Sequence, residues 1–215
     1  MAVIAPTILV EDVESYKAKV VQLHEFAERV QVDITDGEFA TANTIDESQV
    51  WWPTEWQTDL HMMVKEPSKH IDTLIKLSPN LVIFHAEVEE DLLPTIKKLK
   101  NAGIGAGVAL LKPTFPASVS KYIKAADHVM IFSGDLGHQG GKASLLQLEK
   151  VHLIKNINPD TEIGWDGGAN LDNVFNMASA GVDVINVGGA IERASDPAAM
   201  YRSLVETANK HGVVY

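Results

Sequence analysis

Short apolar segments alternate with longer segments of helical period along the whole chain. The eight candidate strands cover residues 3–9, 29–35, 58–64, 81–86, 105–111, 128–133, 162–166 and 182–187. Most of them are nearly continuous apolar runs, which is typical of parallel strands covered on both faces. The pattern therefore predicts a parallel α/β fold.

The segments between these strands have the 3.6-residue period of amphipathic helices. They cover residues 11–28, 67–77, 89–102, 116–125, 143–156, 170–180 and 196–211. Pro67 begins one of them and Gly103 follows the end of another, which are positions that helices favour for these residues. Residues 45–56, which contain Pro53 and three tryptophans, suit either a short helix or a packed loop.

Eight strands that alternate with helices favour a single-domain (β/α)8 TIM barrel over residues 1–215, and a doubly wound open sheet is the alternative. No linker rich in glycine, proline or serine divides the chain. In a barrel, functional side chains lie at the carboxyl ends of the strands and in the loops that follow them. Candidate chemistry is therefore expected at those positions.

Composition excludes several classes of function. The chain has no cysteine, which excludes disulfides, thiolate nucleophiles and cysteine-bound zinc. Its net charge of −11 disfavours nucleic acid and anionic lipid as partners. No segment is apolar enough to span a bilayer, and the first residues lack the basic region of a signal peptide. We expect a cytoplasmic protein.

Polar side chains occupy the ends of three neighbouring candidate strands. Alternation along strand 2 places Gln31, Asp33 and Thr35 on one face, where burial is costly unless the groups are paired or functional. Strand 3 carries His61 and strand 4 ends in His85. The alternatives are a helix cap or structural ion pair for Asp33 and satisfied core positions for the histidines.

Glycine pairs follow the last two candidate strands. Asp166 precedes Gly167 and Gly168, and strand 8 runs into Gly188 and Gly189. The two pairs together fit the usual phosphate site of a TIM barrel, although Asp-Gly alone is also an ordinary turn. Residues 169–172 suit the start of a helix whose N–H groups face an anion.

The segment after strand 6 is also rich in glycine. Residues 133–142 contain Gly137, Gly140 and Gly141 and end in the cation Lys142. Backbone N–H groups in such a loop bind phosphate even when the whole chain is acidic. The loop is either a flap over a phosphate or a flexible surface turn.

Together and in this order, these segments resemble the ribulose-phosphate 3-epimerase family over nearly the whole chain. The matching segments are 4–9 (with Thr7 where the family usually has serine), 32–39, 59–64, 85–87, 107–110 with 113–114, 166–168 and 188–191. The resemblance implies an isomerase of the pentose phosphate pathway. Such an enzyme inverts C3 of a ketopentose 5-phosphate, converting D-ribulose 5-phosphate to D-xylulose 5-phosphate.

The resemblance also implies roles for individual residues. Asp33 and Asp166 correspond to the acid/base pair, and with His61 they correspond to ligands of a divalent metal (Zn, Fe, Mn or Co). The corresponding substrate contacts are Thr7, His61, Met63, Gly137, Gly140, Gly141, Gly167, Gly168, Gly188 and Gly189. Homo-oligomers are common in the family, so a homo-oligomer is a further expectation.

Three departures from the family pattern concern the site. Gln31 stands where the family has its first histidine ligand, which leaves a weakened metal site, a different metal or no metal open. Thr35 replaces a methionine, which predicts a more polar pocket. The loop after strand 6 lacks the Asn-Pro-Gly-Phe-Gly-Gly pattern of the family. The alternative functions are a lyase or decarboxylase acting on a sugar phosphate and a metal-free phosphosugar binder.

Overall fold

Eight parallel strands close into a barrel in the order β1 to β8. The computed structural model describes residues 1–138 and 140–210. The strands are β1 (Val3–Ile8), β2 (Arg29–Thr35), β3 (Gln57–Met63), β4 (Leu81–His85), β5 (Gly105–Leu110), β6 (His128–Phe132), β7 (Glu162–Asp166) and β8 (Val184–Val187). The predicted (β/α)8 barrel is therefore confirmed, and the open sheet is excluded.

Helices follow the strands, but several are shorter than predicted. They are α1 (Val13–His24), α2 (Ile71–Leu77), α3 (Leu92–Asn101), α4 (Ser120–Ala125), α5 (Glu149–Ile157), α6 (Val174–Ser179), α7 (Gly189–Glu192) and α8 (Pro197–Ala208). The predicted end of the last helix, at residue 211, lies outside the described residues. None of the described helices has the length and apolar character required to cross a membrane.

Capping residues define the start of α1 and the end of α3. Asp12 caps α1 by accepting a hydrogen bond from the Ser15 N–H at 2.8 Å. After α3, Gly103 adopts a φ of +79° and the Ile104 N–H reaches back to the Leu99 carbonyl at 3.0 Å. This is the Schellman arrangement, in which a glycine ends the helix because it has no Cβ to clash.

The connection between β2 and β3 contains little helix. Residues 45–56 form a single 3-10 turn over Glu47–Gln49, and the remainder is packed loop. Trp56 is buried in the core, while Trp51 is 45 % exposed and its carbonyl accepts a hydrogen bond from the Tyr16 hydroxyl. Of the two alternatives for this segment, the loop therefore predominates.

The two faces of the barrel wall have different environments. Outward residues such as Val32, Leu60 and Val108 belong to the large apolar cluster that includes the helices. A second, small cluster contains Leu81, Ile83, Ala109, Met130 and Phe132. The polar residues of β2, β3 and β7 alternate with the outward apolar ones, so they point into the barrel. The core thus leaves the barrel interior available for polar chemistry at both ends.

Candidate active site

A cavity that is open to solvent lies at the carboxyl ends of the strands. Twelve residues predicted from the sequence line it, namely Thr7, Asp33, His61, Met63, Gly137, Gly140, Gly141, Asp166, Gly167, Gly168, Gly188 and Gly189. Gln31 is fully buried and reaches two of them through its side-chain amide. The structure therefore brings the candidate residues together around one site.

Strand register places three of these side chains against one another. Asp33 of β2 pairs with His61 of β3, and Asp166 is the last residue of β7. The His61 Nδ1 atom lies 3.0 Å from Asp33 Oδ1 and 3.5 Å from Asp166 Oδ2. One ligand atom from each residue lies within 4.8 Å of the other two. Two carboxylates and an imidazole at this spacing are a donor set that fits a divalent metal.

Burial and mutual charge set the protonation of this cluster. Burial raises the pKa of the Asp33 carboxyl, and the charge of Asp166 adds to the rise although hydrogen bonds from His61 and Gln31 oppose it. Burial disfavours charge on His61, but hydrogen bonds and charges from Asp166 and Asp33 outweigh it and raise its pKa to about 9. Without a bound cation, His61 is therefore an imidazolium at neutral pH.

His85 and Glu87 extend the cluster away from the carboxylates. The His85 Nε2 atom lies 2.9 Å from His61 Nε2, and His85 Nδ1 lies 3.5 Å from Glu87 Oε2. Burial lowers the pKa of His85 to about 4, and the charge of His61 adds to this effect. A neutral His85 accepts the Nε2–H of His61 and thereby fixes which nitrogen of His61 faces the two aspartates.

The glycines let two loops approach each other closely. Gly167 and Gly168 have φ values of +106° and +73°. A Cβ atom on Gly167 would lie 2.0 Å from the Gly134 nitrogen, and one on Gly168 would lie 2.2 Å from the Ala143 nitrogen. Within the described part of the chain, the backbone N–H groups of Gly168, Gly188 and Gly189 have no hydrogen-bond partner. These amides are available to an anionic group in the cavity.

Three expectations about the surroundings of the site were wrong. Helix α6 begins at Val174 rather than near residue 170, and the Asn170 N–H donates to the Asn173 side chain at 2.9 Å, so it is not free for an anion. Lys142 is exposed and does not line the cavity. The Thr35 hydroxyl donates to the Ala42 carbonyl and is also absent from the lining, so it does not make the pocket more polar.

The cavity residues that the sequence did not single out include Arg193 and Asn186. Arg193, at the end of α7, extends its guanidinium between the loop that carries Gly140 and the start of α7 at Gly189. Asn186 of β8 is buried, and its Oδ1 atom has no partner among the described residues. A polar side chain within the apolar run of β8 was the available signal for Asn186, whereas no local pattern distinguishes Arg193.

Comparison with known proteins agrees with this architecture. Solved structures with the same fold include 3-hexulose-6-phosphate synthase from Salmonella typhimurium, which covers 97 % of this chain and 99 % of its own with a TM-score of 0.72 at 17 % identity. The structure of KGPDC from Streptococcus mutans covers 96 % of this chain and 97 % of its own, with a TM-score of 0.74 at 10 % identity. These similarities establish the class of the protein as a (β/α)8 barrel.

Sequence relatives define the family within that class. The model of the ribulose-phosphate 3 epimerase family matches residues 3–192. Ribulose-phosphate 3-epimerase from Helicobacter pylori is 30 % identical over 200 residues, which cover 90 % of this chain and 92 % of the relative. The Bacillus subtilis enzyme of the same name is 28 % identical, with 91 % and 94 % covered. The chain belongs to the ribulose-phosphate 3-epimerase family and is an epimerase that acts on a carbohydrate phosphate.

Proposed function

We propose that this enzyme inverts C3 of a ketopentose 5-phosphate, interconverting D-ribulose 5-phosphate and D-xylulose 5-phosphate, by proton transfer through Asp33 and Asp166. The relatives described above are named ribulose-phosphate 3-epimerases, which supports epimerisation at C3 of a ribulose phosphate. Inversion next to a ketone removes the C3 proton from one face and returns a proton to the opposite face. Two carboxylates that face one cavity suit the two steps as base and acid.

The observation that carries this proposal is the way the two carboxylates are held. Gln31 and His61 both contact Asp33 Oδ1 and Asp166 Oδ2, so these two oxygens are fixed. Among the described residues, no hydrogen-bond donor contacts Asp33 Oδ2 or Asp166 Oδ1. Each carboxylate thus keeps one oxygen for proton transfer while the other oxygen holds it in position.

Asp33, His61 and Asp166 would also hold the divalent metal that the family pattern implies. When bound, such an ion supplies positive charge that stabilises the enediolate oxygens. His85 orients His61 and through it the two aspartates. Met63 is a buried apolar side chain that covers the site. Asn186 Oδ1, which has no partner among the described residues, would accept a hydrogen bond from a substrate hydroxyl.

The phosphate of the substrate would bind at the glycine loops. Free N–H groups at Gly168, Gly188 and Gly189 and the guanidinium of Arg193 lie on this side of the cavity. Backbone amides and one fixed cation together bind a phosphate dianion in a protein of net negative charge. The substrate is thereby anchored at one end and reacts at the other.

Incubation of ribulose 5-phosphate with the enzyme in deuterated water tests the proposal. We expect deuterium at C3 of both sugars, because the abstracted proton exchanges with solvent. Asp33→Asn and Asp166→Asn each remove a proton-transfer group, so each should lower the rate of inversion by at least about 10³-fold. The measurements are NMR of the products and a coupled assay for xylulose 5-phosphate.

Asp172→Asn is the matched control, since Asp172 is exposed and does not line the cavity. It should retain the activity of the unchanged enzyme. Circular dichroism establishes that each variant is folded. A folded wild-type enzyme that binds the sugar without exchange would instead support a binder. Loss of carbon from the sugar would support a lyase or decarboxylase.

A further inference from the structure

Four side-chain atoms surround one point beneath the cavity. Gln31 Nε2 lies 2.9 Å from Asp33 Oδ1 and 2.7 Å from Asp166 Oδ2. The His61 Nδ1 atom lies 3.0 and 3.5 Å from the same two oxygens. The amide of Gln31 therefore occupies a fourth position beside the three donors already described.

The amide of Gln31 is satisfied on one side only. Its NH₂ group bridges the two carboxylates, but the Oε1 atom is buried and has no partner among the described residues. An unpaired buried carbonyl costs roughly 1–3 kcal/mol. Only the NH₂ group can face two carboxylates without a cation, because a carbonyl oxygen in that position would be repelled by both.

A cation between the carboxylates reverses this preference. A half-turn of the amide about its Cγ–Cδ bond exchanges the oxygen and the nitrogen, which occupy nearly the same volume. The carbonyl oxygen then faces the cation, as carbonyl oxygens of glutamine do in sites for hard metals. The turn moves the carbonyl out of its present unpaired position and places the NH₂ group there instead.

We propose that Gln31 is a metal-selecting ligand, which turns its amide to present Oε1 to a divalent cation held by Asp33, His61 and Asp166. The donor set is then three oxygens and one imidazole nitrogen. Such a set favours an oxygen-preferring ion such as Mn²⁺ more than a set with two imidazoles, which favours Zn²⁺. The proposal rests on the metal site of the proposed function and adds its selectivity.

Metal titration of Gln31→His tests this selectivity without measuring activity. Protein stripped with chelator is titrated with Mn²⁺ and with Zn²⁺ by calorimetry, and Mn²⁺ binding is followed independently by electron paramagnetic resonance. We expect the variant to gain at least about tenfold in Zn²⁺ affinity while its Mn²⁺ affinity changes by less than about threefold. Gln31→Leu, which has no ligand atom, should lose affinity for Mn²⁺.

The possible outcomes separate this proposal from the proposed function. The role of Gln31 would be overturned if Gln31→His changed the affinities for Zn²⁺ and Mn²⁺ equally. It would also be overturned if Gln31→Leu left the Mn²⁺ affinity unchanged. Absence of any binding by the wild-type protein would overturn it as well. The deuterium experiment is read separately, since exchange at C3 without metal selectivity would leave the proposed function intact. Metal selectivity without exchange at C3 would support the role of Gln31 and overturn the proposed function.

Discussion

At the scale of single residues, Arg193 gives the site a property that its other members lack. Among the described cavity residues it is the side chain with a permanent positive charge. Its Nη1 atom lies 2.7 Å from the position of a Cβ on Gly140 and 2.5 Å from that of a Cβ on Gly189. The absence of side chains at both glycines therefore leaves room for the guanidinium beside the free amides.

Arg193→Gln should weaken substrate binding more than it slows the chemical step. A charge-assisted hydrogen bond contributes about 1.5–3 kcal/mol, so we expect kcat/KM to fall by roughly 10- to 100-fold, mostly through KM. Arg193→Lys keeps the charge but not the planar fork, and it should restore part of the loss. Steady-state kinetics with ribulose 5-phosphate measure both effects.

Arg202→Gln is the control for this substitution, because Arg202 is exposed on α8 and does not line the cavity. Arg202→Gln should leave kcat and KM unchanged. A fall in kcat at constant KM for Arg193→Gln would argue against phosphate binding. Arg193 could not be predicted from the sequence, since its place depends on a four-residue helix, α7, that packs against α8.

At the scale of elements, the loop after β6 packs closely against the loop after β7. Backbone atoms of Gly141, Lys142 and Ala143 would lie 2.2 to 2.7 Å from a Cβ on Gly168. Backbone cannot move aside as a flexible side chain can, so any side chain at this position separates the loops. The geometry of the amides in the cavity thus depends on this contact.

Gly168→Ala should therefore lower activity through the position of the loops. We expect kcat/KM to fall at least about tenfold, because displaced amides no longer match the substrate. Gly103→Ala is a matched control, since Gly103 has a similar φ of +79° and nothing within 4 Å of its Cβ position. Both variants bear a left-handed backbone penalty of about 1–2 kcal/mol, but the control should keep full activity. Equal activity of the two variants would contradict the proposed loop contact.

Elements whose ends are set by local interactions were predicted more accurately than segments with contacts distant in sequence. The bounds of β2 were predicted correctly, because the strand ends at Asp36-Gly37, where local turn chemistry stops it. The helix predicted from residue 170 starts at Val174, and residues 45–56 are mostly loop. The second segment includes a contact distant in sequence, from the Tyr16 hydroxyl to the Trp51 carbonyl, which no local pattern specifies.

The candidate site could be located from the sequence for a related reason. A closed parallel barrel brings all carboxyl strand ends to one rim, so Asp33, His61 and Asp166 meet once the strands are known. The partners beneath them were not predictable. Contacts between His61 and His85, and from Gln31 to both carboxylates, depend on register between strands and on rotamers rather than on local sequence.

At the scale of the whole molecule, the same strands carry two separate polar networks. At the amino ends, Arg29 of β2 contacts Asp59 of β3 at 2.7 Å and Glu162 of β7 at 2.8 Å through two nitrogens. His128 of β6 contacts the same glutamate at 2.7 Å. The carboxyl ends of β2, β3 and β7 carry the candidate active site. In TIM barrels the amino-terminal end contributes to stability and the carboxyl-terminal end to catalysis.

Glu162→Gln should therefore lower stability and leave catalysis intact. Burial opposes ionisation of Glu162, but hydrogen bonds from His128 and Arg29 outweigh it and hold its pKa well below the usual range. A lowered pKa stabilises the fold at pH values above the unfolded pKa of about 4.3, and this contribution is lost as the pH falls toward the folded pKa. Because the side chain is 36 % exposed, solvent screening limits the expected loss at pH 7 to about 1–2 kcal/mol.

Urea denaturation at several pH values, together with activity at a permissive temperature, checks this division between the two ends of the barrel. The difference in unfolding free energy between wild type and Glu162→Gln should be largest at neutral pH and should shrink below about pH 4. Glu38→Gln breaks an exposed pair with Lys65 and should change stability by less than about 0.5 kcal/mol. A loss of kcat in Glu162→Gln at full folding would contradict the separation, because it would connect the amino-terminal network to Asp33 and Asp166 through the strands they share.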